Sequence, residues 1–191
     1  MQKSFLSPWQ FKKMTGSASL DEKSGKGAKV QAALTRILSE FPYLRSPIAV
    51  IDKALEAADL SRREIFADLG CGDGVVLIRA AERFGVFSVG FEINPILVRI
   101  AQKRIKSANL QDLVDVVRSD LFLADLSRFD VIYVYPSPLV IEKLSRKILD
   151  ECAGGTRILV HDYPLRLLKP VKVAQIPHGE LHTHTLYVYE I

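Results

Sequence analysis

The chain has 191 residues, of which 48% are apolar and 25% are charged, and its formal net charge is +4. This length suits one domain with a sizeable core, and this composition excludes a chain that is disordered throughout. No apolar run approaches the roughly 18 residues that a membrane helix needs. Two cysteines, Cys71 and Cys152, are too few for a disulfide framework. We therefore expect a cytoplasmic protein that makes no contact with a membrane.

The N-terminal quarter of the chain carries the positive charge. Residues 1–50 contain eight Lys or Arg and three Asp or Glu, a net charge of +5. Residues 51–191 contain 18 Lys or Arg and 19 Asp or Glu, a net charge of −1. Residues 1–13 lack the apolar stretch of a secretory signal, and residues 16–27 have the composition of a linker. We predict that residues 1–42 form a basic extension with one helix over residues 28–40. Such an extension solubilises the chain, or it contacts nucleic acid, an acidic protein or an acidic surface of the same chain.

A helix is predicted at the start of the region that follows this extension. Ser46 can cap the helix and Pro47 suits its first position, while Ile48, Ile51 and Leu55 would share one apolar face. This helix therefore has one buried side, as expected for the first element of a folded domain.

From residue 65 onward, short apolar segments alternate with amphipathic ones. Strands are predicted at 65–69, 86–91, 114–118, 131–135 and 157–160, and helices at 75–84, 95–108 and 139–151. This alternation is typical of a parallel sheet that has helices on both faces. Two further strands, at 171–176 and 183–191, flank a turn at 177–180 and form an antiparallel hairpin. We therefore predict an α/β domain over residues 43–191 with a doubly wound, Rossmann-like, mostly parallel sheet of seven strands.

A glycine-rich loop, FADLGCGDG at 66–74, follows the first of these strands and precedes a helix. Its three glycines allow a tight turn and bring a ligand close to bare backbone amides. A dinucleotide fingerprint would need a glycine at position 75, where the chain has Val75. The loop instead holds two acids, Asp68 and Asp73, which repel a pyrophosphate but suit a ligand with an ammonium or a sulfonium group. S-adenosylmethionine carries both groups.

Acids also follow the next two strands. Glu92 ends the second strand, where an acid accepts hydrogen bonds from ribose hydroxyls, and Ile93 would flank the adenine. Asp120 follows the third strand and would accept a hydrogen bond from the adenine amino group. Because parallel strands end at one edge of a sheet, we predict an S-adenosylmethionine site at that edge. Its predicted residues are Asp68, Gly70, Cys71, Gly72, Asp73, Gly74, Glu92, Ile93, Asn94, Asp120 and Leu121.

These motifs resemble those of the class I S-adenosylmethionine-dependent methyltransferases, over about residues 43–191. Within that class the chain is most similar to the archaeal broad-specificity protein-lysine methyltransferases and their mitochondrial lysine-methylating relatives. The resemblance implies a seven-stranded sheet whose last strand is antiparallel, and transfer of a methyl group to protein lysine side chains. The segments that carry it are Tyr43, Ser46-Pro47, DLGCGDG at 68–74, Glu92-Ile93-Asn94, Gly155-Thr156-Arg157, His161 and HTLYVY at 184–189.

The methyl acceptor is expected beyond the fourth strand, where class I acceptors usually approach. We predict Tyr43, Tyr135, Pro136 and His161 as the catalytic residues. An apolar and aromatic mouth lowers the pKa of a lysine, and tyrosine faces stabilise a sulfonium or an ammonium. Methyltransferases acting on base amino groups carry an Asn/Asp-Pro-Pro-aromatic motif there, whereas this chain has YPSP at 135–138. That difference disfavours a base amino group as the acceptor but leaves other RNA positions open.

Three histidines, His178, His182 and His184, lie near Glu180 in the predicted hairpin. His182 and His184 would share one face of a strand, a spacing compatible with metal binding. We nevertheless expect no metal site, because no pattern of outer-shell carboxylates accompanies these histidines. We predict instead that they lie on an edge strand or at the rim of the site.

The sequence leaves alternatives for the function. The first is a methyltransferase that acts on RNA or on a small molecule. If RNA is the acceptor, the basic extension would bind it. The second is a protein that binds S-adenosylmethionine without catalysis. For the favoured protein-lysine methyltransferase, the partners are protein substrates with accessible lysines, and we expect the chain to be a monomer. Three lysines of the extension are candidates for self-methylation: Lys23, Lys26 and Lys29.

Overall fold

The computed structural model describes residues 44–180 and 182–191. Three sequence predictions concern residues outside these ranges: the basic extension of residues 1–42, the helix within it and the catalytic role of Tyr43. In the described ranges, no helix combines the length and the apolar character that crossing a membrane requires.

Strands and helices alternate along the described chain. The helices are α1 (Ile48–Ala58), α2 (Val75–Phe84), α3 (Pro95–Ser107) and α4 (Ile141–Glu151). The strands are β1 (Ile65–Leu69), β2 (Phe87–Glu92), β3 (Val114–Arg118), β4 (Val131–Val134), β5 (Arg157–His161), β6 (Lys172–His178) and β7 (His182–Glu190). Short 3₁₀ turns at Leu121–Leu123 and Leu126–Arg128 connect β3 to β4. Each strand and helix predicted within these ranges is confirmed, with ends that shift by two residues or fewer.

All seven strands form one sheet in the order β3-β2-β1-β4-β5-β7-β6. The pairs among β1 to β5 are parallel, whereas β7 runs antiparallel to both β5 and β6. This arrangement confirms the predicted doubly wound sheet with an antiparallel C-terminal hairpin. Because β7 is reversed, its first residues lie at the same edge of the sheet as the carboxyl ends of β1 to β5.

Helices cover both faces of the sheet. On one face, α1, α2 and α3 share a continuous core with residues such as Phe66 of β1 and Leu159 of β5. Strand residues alternate between faces, so Ile132 and Ile158 point to the other face, where α4 buries Leu144. Because both faces of the sheet are covered, nearly every residue of β1, β2 and β4 is buried, and the sequences of these strands are almost continuously apolar.

The prediction that Ser46 caps α1 is wrong. Pro47 occupies the N-cap position, and no side chain from the described part of the chain caps the helix. The Ser46 hydroxyl instead lies 3.0 Å from the Tyr133 hydroxyl oxygen and 3.2 Å from Nδ1 of His161. A serine at a helix start can bond either locally or to distant groups, and here the fold brings two distant partners within reach.

The fold requires a glycine in the middle of β2. A Cβ at Gly90 would lie 2.5 Å from both Cys71 Sγ and Leu77 Cδ1, which pack on this strand from the glycine loop and from α2. We expect Gly90→Ala to lower the free energy of unfolding by about 1–3 kcal/mol, the usual cost of overpacking a core. Urea denaturation measures this loss. Gly154→Ala is the matched control, since its Cβ would approach only the Ile191 carbonyl oxygen, at 4.0 Å; equal stability of the two variants would contradict the prediction.

Candidate functional site

The glycine loop leaves an open cradle at the carboxyl end of β1. Gly70, Gly72 and Gly74 all have positive φ angles, of 87°, 54° and 78°, which glycine adopts without strain. A Cβ at Gly70 would meet no atom of residues 44–180 or 182–191 within 4 Å, whereas a Cβ at Gly74 would lie 3.0 Å from Cβ of Ala101. Gly70 therefore borders free space beside the strand end, and Gly74 lets the start of α2 pack against α3.

Glu92, at the end of β2, holds this loop in place. The residue is 8% exposed, and its two carboxylate oxygens accept hydrogen bonds from the backbone N–H groups of Gly72 (2.9 Å) and Asn94 (2.7 Å). Each carboxylate oxygen has a second lone pair. Glu92 can therefore anchor the loop and still accept a hydrogen bond from a ligand hydroxyl, the role predicted from its position.

We expect Glu92→Gln to lower the free energy of unfolding of the ligand-free protein by about 1–3 kcal/mol. An amide offers one acceptor oxygen, so one of the two backbone N–H groups would face an NH₂ group and lose its partner. Chemical denaturation measures the loss. Glu82→Gln, on the exposed side of α2, makes the same substitution as a control and should change stability by less than about 0.5 kcal/mol. Equal stabilities of the two variants would show that Glu92 does not anchor the loop.

The two acids of the glycine loop have different environments. The Asp73 carboxylate accepts a hydrogen bond from the Val75 backbone N–H and pairs with Arg104 and, at 3.5 Å, with Arg45. It therefore ties the loop to α3 and to the segment before α1. Because two arginines already balance the charge of Asp73, this acid differs from the prediction that it offers its charge to a cationic ligand.

Asp68 is the loop acid whose charge remains unbalanced. It is 3% exposed, and no hydrogen bond from residues 44–180 or 182–191 reaches its carboxylate. Burial, and then the nearby charges of Glu92 and Asp73, hold the pKa of Asp68 well above its ordinary value. A buried carboxylate with no cationic partner is costly to the fold, and a ligand ammonium beside it would remove that cost.

The remaining predicted cofactor residues lie where β2 and β3 end side by side. Asn94 caps α3 by accepting a hydrogen bond from the Ile96 N–H at 2.9 Å, and Asp120 accepts one from the Phe122 N–H at 2.9 Å. Ile93 and Leu121 are both half-buried. Their neighbouring positions follow from the register of the two strands, which pairs Glu92 with Arg118. The four residues therefore lie together at the ends of β2 and β3, next to the glycine loop that Glu92 holds.

Cys71 contributes packing and no reactive thiol. It is 5% exposed and fits against Gly90 of β2. Burial, and then the charges of Asp68 and Glu92, raise the pKa of the Cys71 thiol well above its ordinary value. A nucleophilic cysteine needs a lowered pKa, so cysteine-based methyl transfer finds no support at this position.

The residues predicted for the acceptor side come together after β4 and β5. The rings of Tyr135 and His161 stack with their centroids 3.8 Å apart, and Pro136 beside them is buried. Burial is the main reason that the pKa of His161 falls to about 4. The imidazole is therefore neutral at physiological pH. The hydroxyl oxygen of Tyr133 lies 3.1 Å from Nδ1 of His161.

Asp162 and His184 complete this cluster and were not predicted as site residues. Oδ2 of Asp162 accepts a hydrogen bond from the Tyr135 hydroxyl at 2.9 Å and lies 3.0 Å from Nδ1 of His184, which lies 2.9 Å from Nε2 of His161. Burial alone would raise the pKa of Asp162, but the hydrogen bonds from the Thr185 N–H and from His184 outweigh it, and the pKa is lowered. His184 is 6% exposed.

His184 does not lie on an edge strand, one of the two positions predicted for it. The residue belongs to β7, which pairs with β5 on one side and β6 on the other. The register of β5 with β7 pairs His161 with Leu186 and so brings Asp162 to the start of β7. An Asp two residues after the predicted strand at 157–160, and a histidine near the start of the last strand, are the available signals.

Comparisons with known proteins agree with this geometry. The sequence profile of the ANTKMT methyltransferase domain matches residues 68–172. A protein-lysine N-methyltransferase of Saccharolobus islandicus is 34% identical over 78% of this chain and 93% of its own length. An adenine nucleotide translocase lysine N-methyltransferase of Mus musculus is 29% identical, and the match covers 80% of this chain but 64% of the mouse protein.

A solved structure provides a third comparison. An RNA methyltransferase from Salinibacter ruber, in complex with S-adenosyl-L-homocysteine, superposes with a TM-score of 0.71 and 35% identity, over 78% of this chain and 94% of its own. The residues of this chain fit the same class of cofactor, because the unpaired Asp68 suits an ammonium, the space beside Gly70 admits a ligand, and Glu92 keeps lone pairs for hydroxyls. The chain belongs to the ANTKMT methyltransferase family and is a methyltransferase that uses S-adenosylmethionine.

Proposed function

We propose that this methyltransferase acts on the lysine side chains of protein substrates. The observation that carries the proposal is the Asp162 carboxylate, which the Tyr135 hydroxyl holds beside the stacked rings of Tyr135 and His161. A lysine arrives as an ammonium, which a carboxylate and an aromatic face both attract. The lysine N-methyltransferase names of the archaeal and mouse relatives support the same acceptor.

The acceptor side also favours the chemistry that a lysine needs. Bound S-adenosylmethionine supplies a methyl group that its sulfonium has already activated. The protein then has to orient the amine and exclude water. The amine must be neutral, because an ammonium has no free lone pair, and the buried surroundings of Tyr133 and Pro136 disfavour the charged form. Asp68 of β1 pairs with Tyr133 of β4, so the cofactor loop and the acceptor side are neighbours.

RNA methylation is the second candidate function. The Salinibacter ruber relative, which is named an RNA methyltransferase, favours it. Against a base amino group as acceptor stands the YPSP segment at 135–138, which lacks the amide or acid that holds such an amine. The two candidates differ in the macromolecule that receives the methyl group.

One labelling experiment separates these candidates. Purified full-length protein is incubated with tritiated S-adenosylmethionine and a cell extract, and the label is followed after separate protease and ribonuclease treatments. We expect protease-sensitive label that survives acid hydrolysis as methyl-lysine. Label removed by ribonuclease would replace the proposal with RNA methylation. Cofactor binding without transfer to any macromolecule would replace the proposal with a small-molecule acceptor. The Asp68→Asn variant controls for other methyltransferases in the sample.

We also propose that the enzyme methylates its own extension at Lys23, Lys26 or Lys29. These lysines lie outside the described residues, and their dense spacing next to small residues is the support. Intact-mass spectra after incubation with cofactor alone should show added methyl groups, which the triple Lys→Arg variant should lack. An unchanged mass of the wild type would reject the idea.

The monomeric state and nucleic-acid binding by the extension stay predictions that light scattering and RNA titration can check.

A further inference from the structure

We infer that His161, Asp162 and His184 form a binding site for a divalent transition-metal ion, with Zn²⁺ as the ion that suits the site. This inference replaces the sequence expectation of no metal. Both proposals use the Asp162 carboxylate, so an ion there would compete with a lysine ammonium for it. Zinc titration in the absence of any methyl acceptor tests the metal site alone.

The distances among the three ligand atoms fit one ion. Nε2 of His161 and Nδ1 of His184 are 2.9 Å apart, and Oδ2 of Asp162 lies 3.0 Å from Nδ1 of His184 and 3.5 Å from Nε2 of His161. Zinc bonds to imidazole nitrogen and carboxylate oxygen measure about 2.0–2.2 Å, and ligands at angles between about 90° and 110° are then separated by about 3.0–3.4 Å. An ion about 2.1 Å from all three atoms therefore satisfies the observed spacing.

Proton counting supports an ion at this point. Nδ1 of His184 offers either one proton or one lone pair, yet that nitrogen lies within hydrogen-bond distance of two groups, His161 Nε2 and Asp162 Oδ2. One proton cannot make two full hydrogen bonds. A divalent cation would accept a lone pair from each of the three atoms, and two imidazoles with one carboxylate are ligands that Zn²⁺ and similar ions prefer.

The groups around the three ligands resemble the outer shell of a metal site. The hydroxyl oxygens of Ser46 and Tyr133 lie 3.2 Å and 3.1 Å from Nδ1 of His161. Either oxygen can accept the proton of Nδ1, and the lone pair of Nε2 is then free for an ion. The Thr185 backbone N–H donates to Oδ1 of Asp162 at 2.8 Å, and the Tyr135 hydroxyl donates to Oδ2. Such partners fix the orientation and the tautomer of metal ligands. They are present here before any ion is added.

The remaining histidines of the chain concentrate around the same point. The chain has four histidines in total, and the rings of His178 and His182 lie 5.7 Å and 4.4 Å from that of His184. Both are exposed, so they lie on the solvent side of the buried pair. Because the Tyr135 hydroxyl shares Oδ2 of Asp162 with the site, an ion there would be coupled to the acceptor side of the enzyme.

Direct metal titration tests the inference. Full-length protein is stripped with a chelator, desalted and titrated with ZnCl₂ by calorimetry and against a chromogenic zinc chelator, with Co²⁺ as a spectroscopic substitute. We expect one Zn²⁺ per chain, visible absorption bands for bound Co²⁺, and a higher thermal midpoint with zinc. His184→Gln and Asp162→Asn should each weaken zinc binding by at least about 100-fold, the upper end of what loss of an outer-shell partner costs.

A matched control identifies adventitious binding by surface histidines. The double variant His178→Gln/His182→Gln should bind one Zn²⁺ with an affinity within about tenfold of wild type, because outer-shell changes reach that size. Zinc binding that is lost in this double variant but kept in His184→Gln would overturn the inference, as would the absence of stoichiometric zinc binding to the wild type. Circular dichroism of the metal-free variants verifies their fold, and Asp162→Asn, which keeps the shape of the side chain, gives the result if His184→Gln does not fold.

Discussion

Asp68→Asn is expected to weaken the binding of S-adenosylmethionine by about 100-fold or more without destabilising the ligand-free protein. Asp68 is the buried acid of the glycine loop that has no cationic partner among the described residues. Removing one member of a buried ion pair costs about 3–5 kcal/mol, and each 1.4 kcal/mol is about tenfold in affinity. The asparagine keeps the shape of the side chain but offers no charge to the ligand ammonium.

The stability of the same variant provides an independent check. The pKa of Asp68 in the folded protein lies above its ordinary value. A raised carboxyl pKa means that the ionised group destabilises the fold once the pH exceeds the unfolded pKa. Replacing it by a neutral amide should therefore leave the free energy of unfolding at neutral pH unchanged or higher. Calorimetric titration with the cofactor and urea denaturation measure the two quantities.

Two outcomes would contradict this interpretation of Asp68. Wild-type affinity in the variant would show that the acid does not contact the cofactor. A large loss of stability without ligand would show a structural role for the carboxylate. Asp112→Asn, which makes the same change at an exposed position after α3, serves as the control and should alter neither the affinity nor the stability.

Tyr135→Ala is expected to reduce kcat/KM for a protein lysine acceptor by about 100-fold while leaving the affinity for the cofactor unchanged. The substitution removes the ring that stacks on His161 and the hydroxyl that donates to Asp162. A desolvated cation–π contact contributes about 2 kcal/mol, and a hydrogen bond to a charged group about 1.5–3 kcal/mol. Together they exceed the roughly 2.7 kcal/mol that corresponds to a 100-fold change in rate.

A series of variants separates the ring from the hydroxyl. Tyr135→Phe keeps the ring and loses the hydrogen bond to Asp162, so we expect a loss in kcat/KM of at least about tenfold from that one bond. Tyr163→Phe is the control, because the hydroxyl of this neighbouring exposed tyrosine donates no hydrogen bond to the Asp162 carboxylate. The kcat/KM of this variant should match that of the wild type. Full activity in Tyr135→Ala would place the acceptor elsewhere, and a weaker cofactor affinity would assign Tyr135 to the cofactor side.

Much of the cofactor side could be predicted from the sequence because local rules govern it. The glycine loop follows a strand and opens a helix, and each step depends on residues within a few positions of one another. Acids at the ends of β1 and β2 are brought together by any parallel sheet of this order. The different environments of Asp68 and Asp73 were not predictable, since they depend on Arg45 and Arg104 approaching from other elements.

The acceptor side illustrates the opposite case. Tyr135 and His161 were predicted by position, but Ser46 was assigned to a helix cap, and Asp162 and His184 were not proposed as site residues. Ser46 meets His161 across 115 positions of sequence, a separation over which no periodic pattern carries information. The cluster forms because segments distant in sequence meet at one edge of the sheet.

The amino-acid sequence by itself determined the α/β architecture, the seven strands and the position of the cofactor loop. These features follow from apolar periodicity, glycine placement and turn residues, all of which act over short stretches of chain. The tertiary structure alone decided which side chains meet beyond the loop. The register of antiparallel β7 against β5 brings His184 to Asp162, and a shift of one residue in that register would have turned His184 to the other face of the sheet.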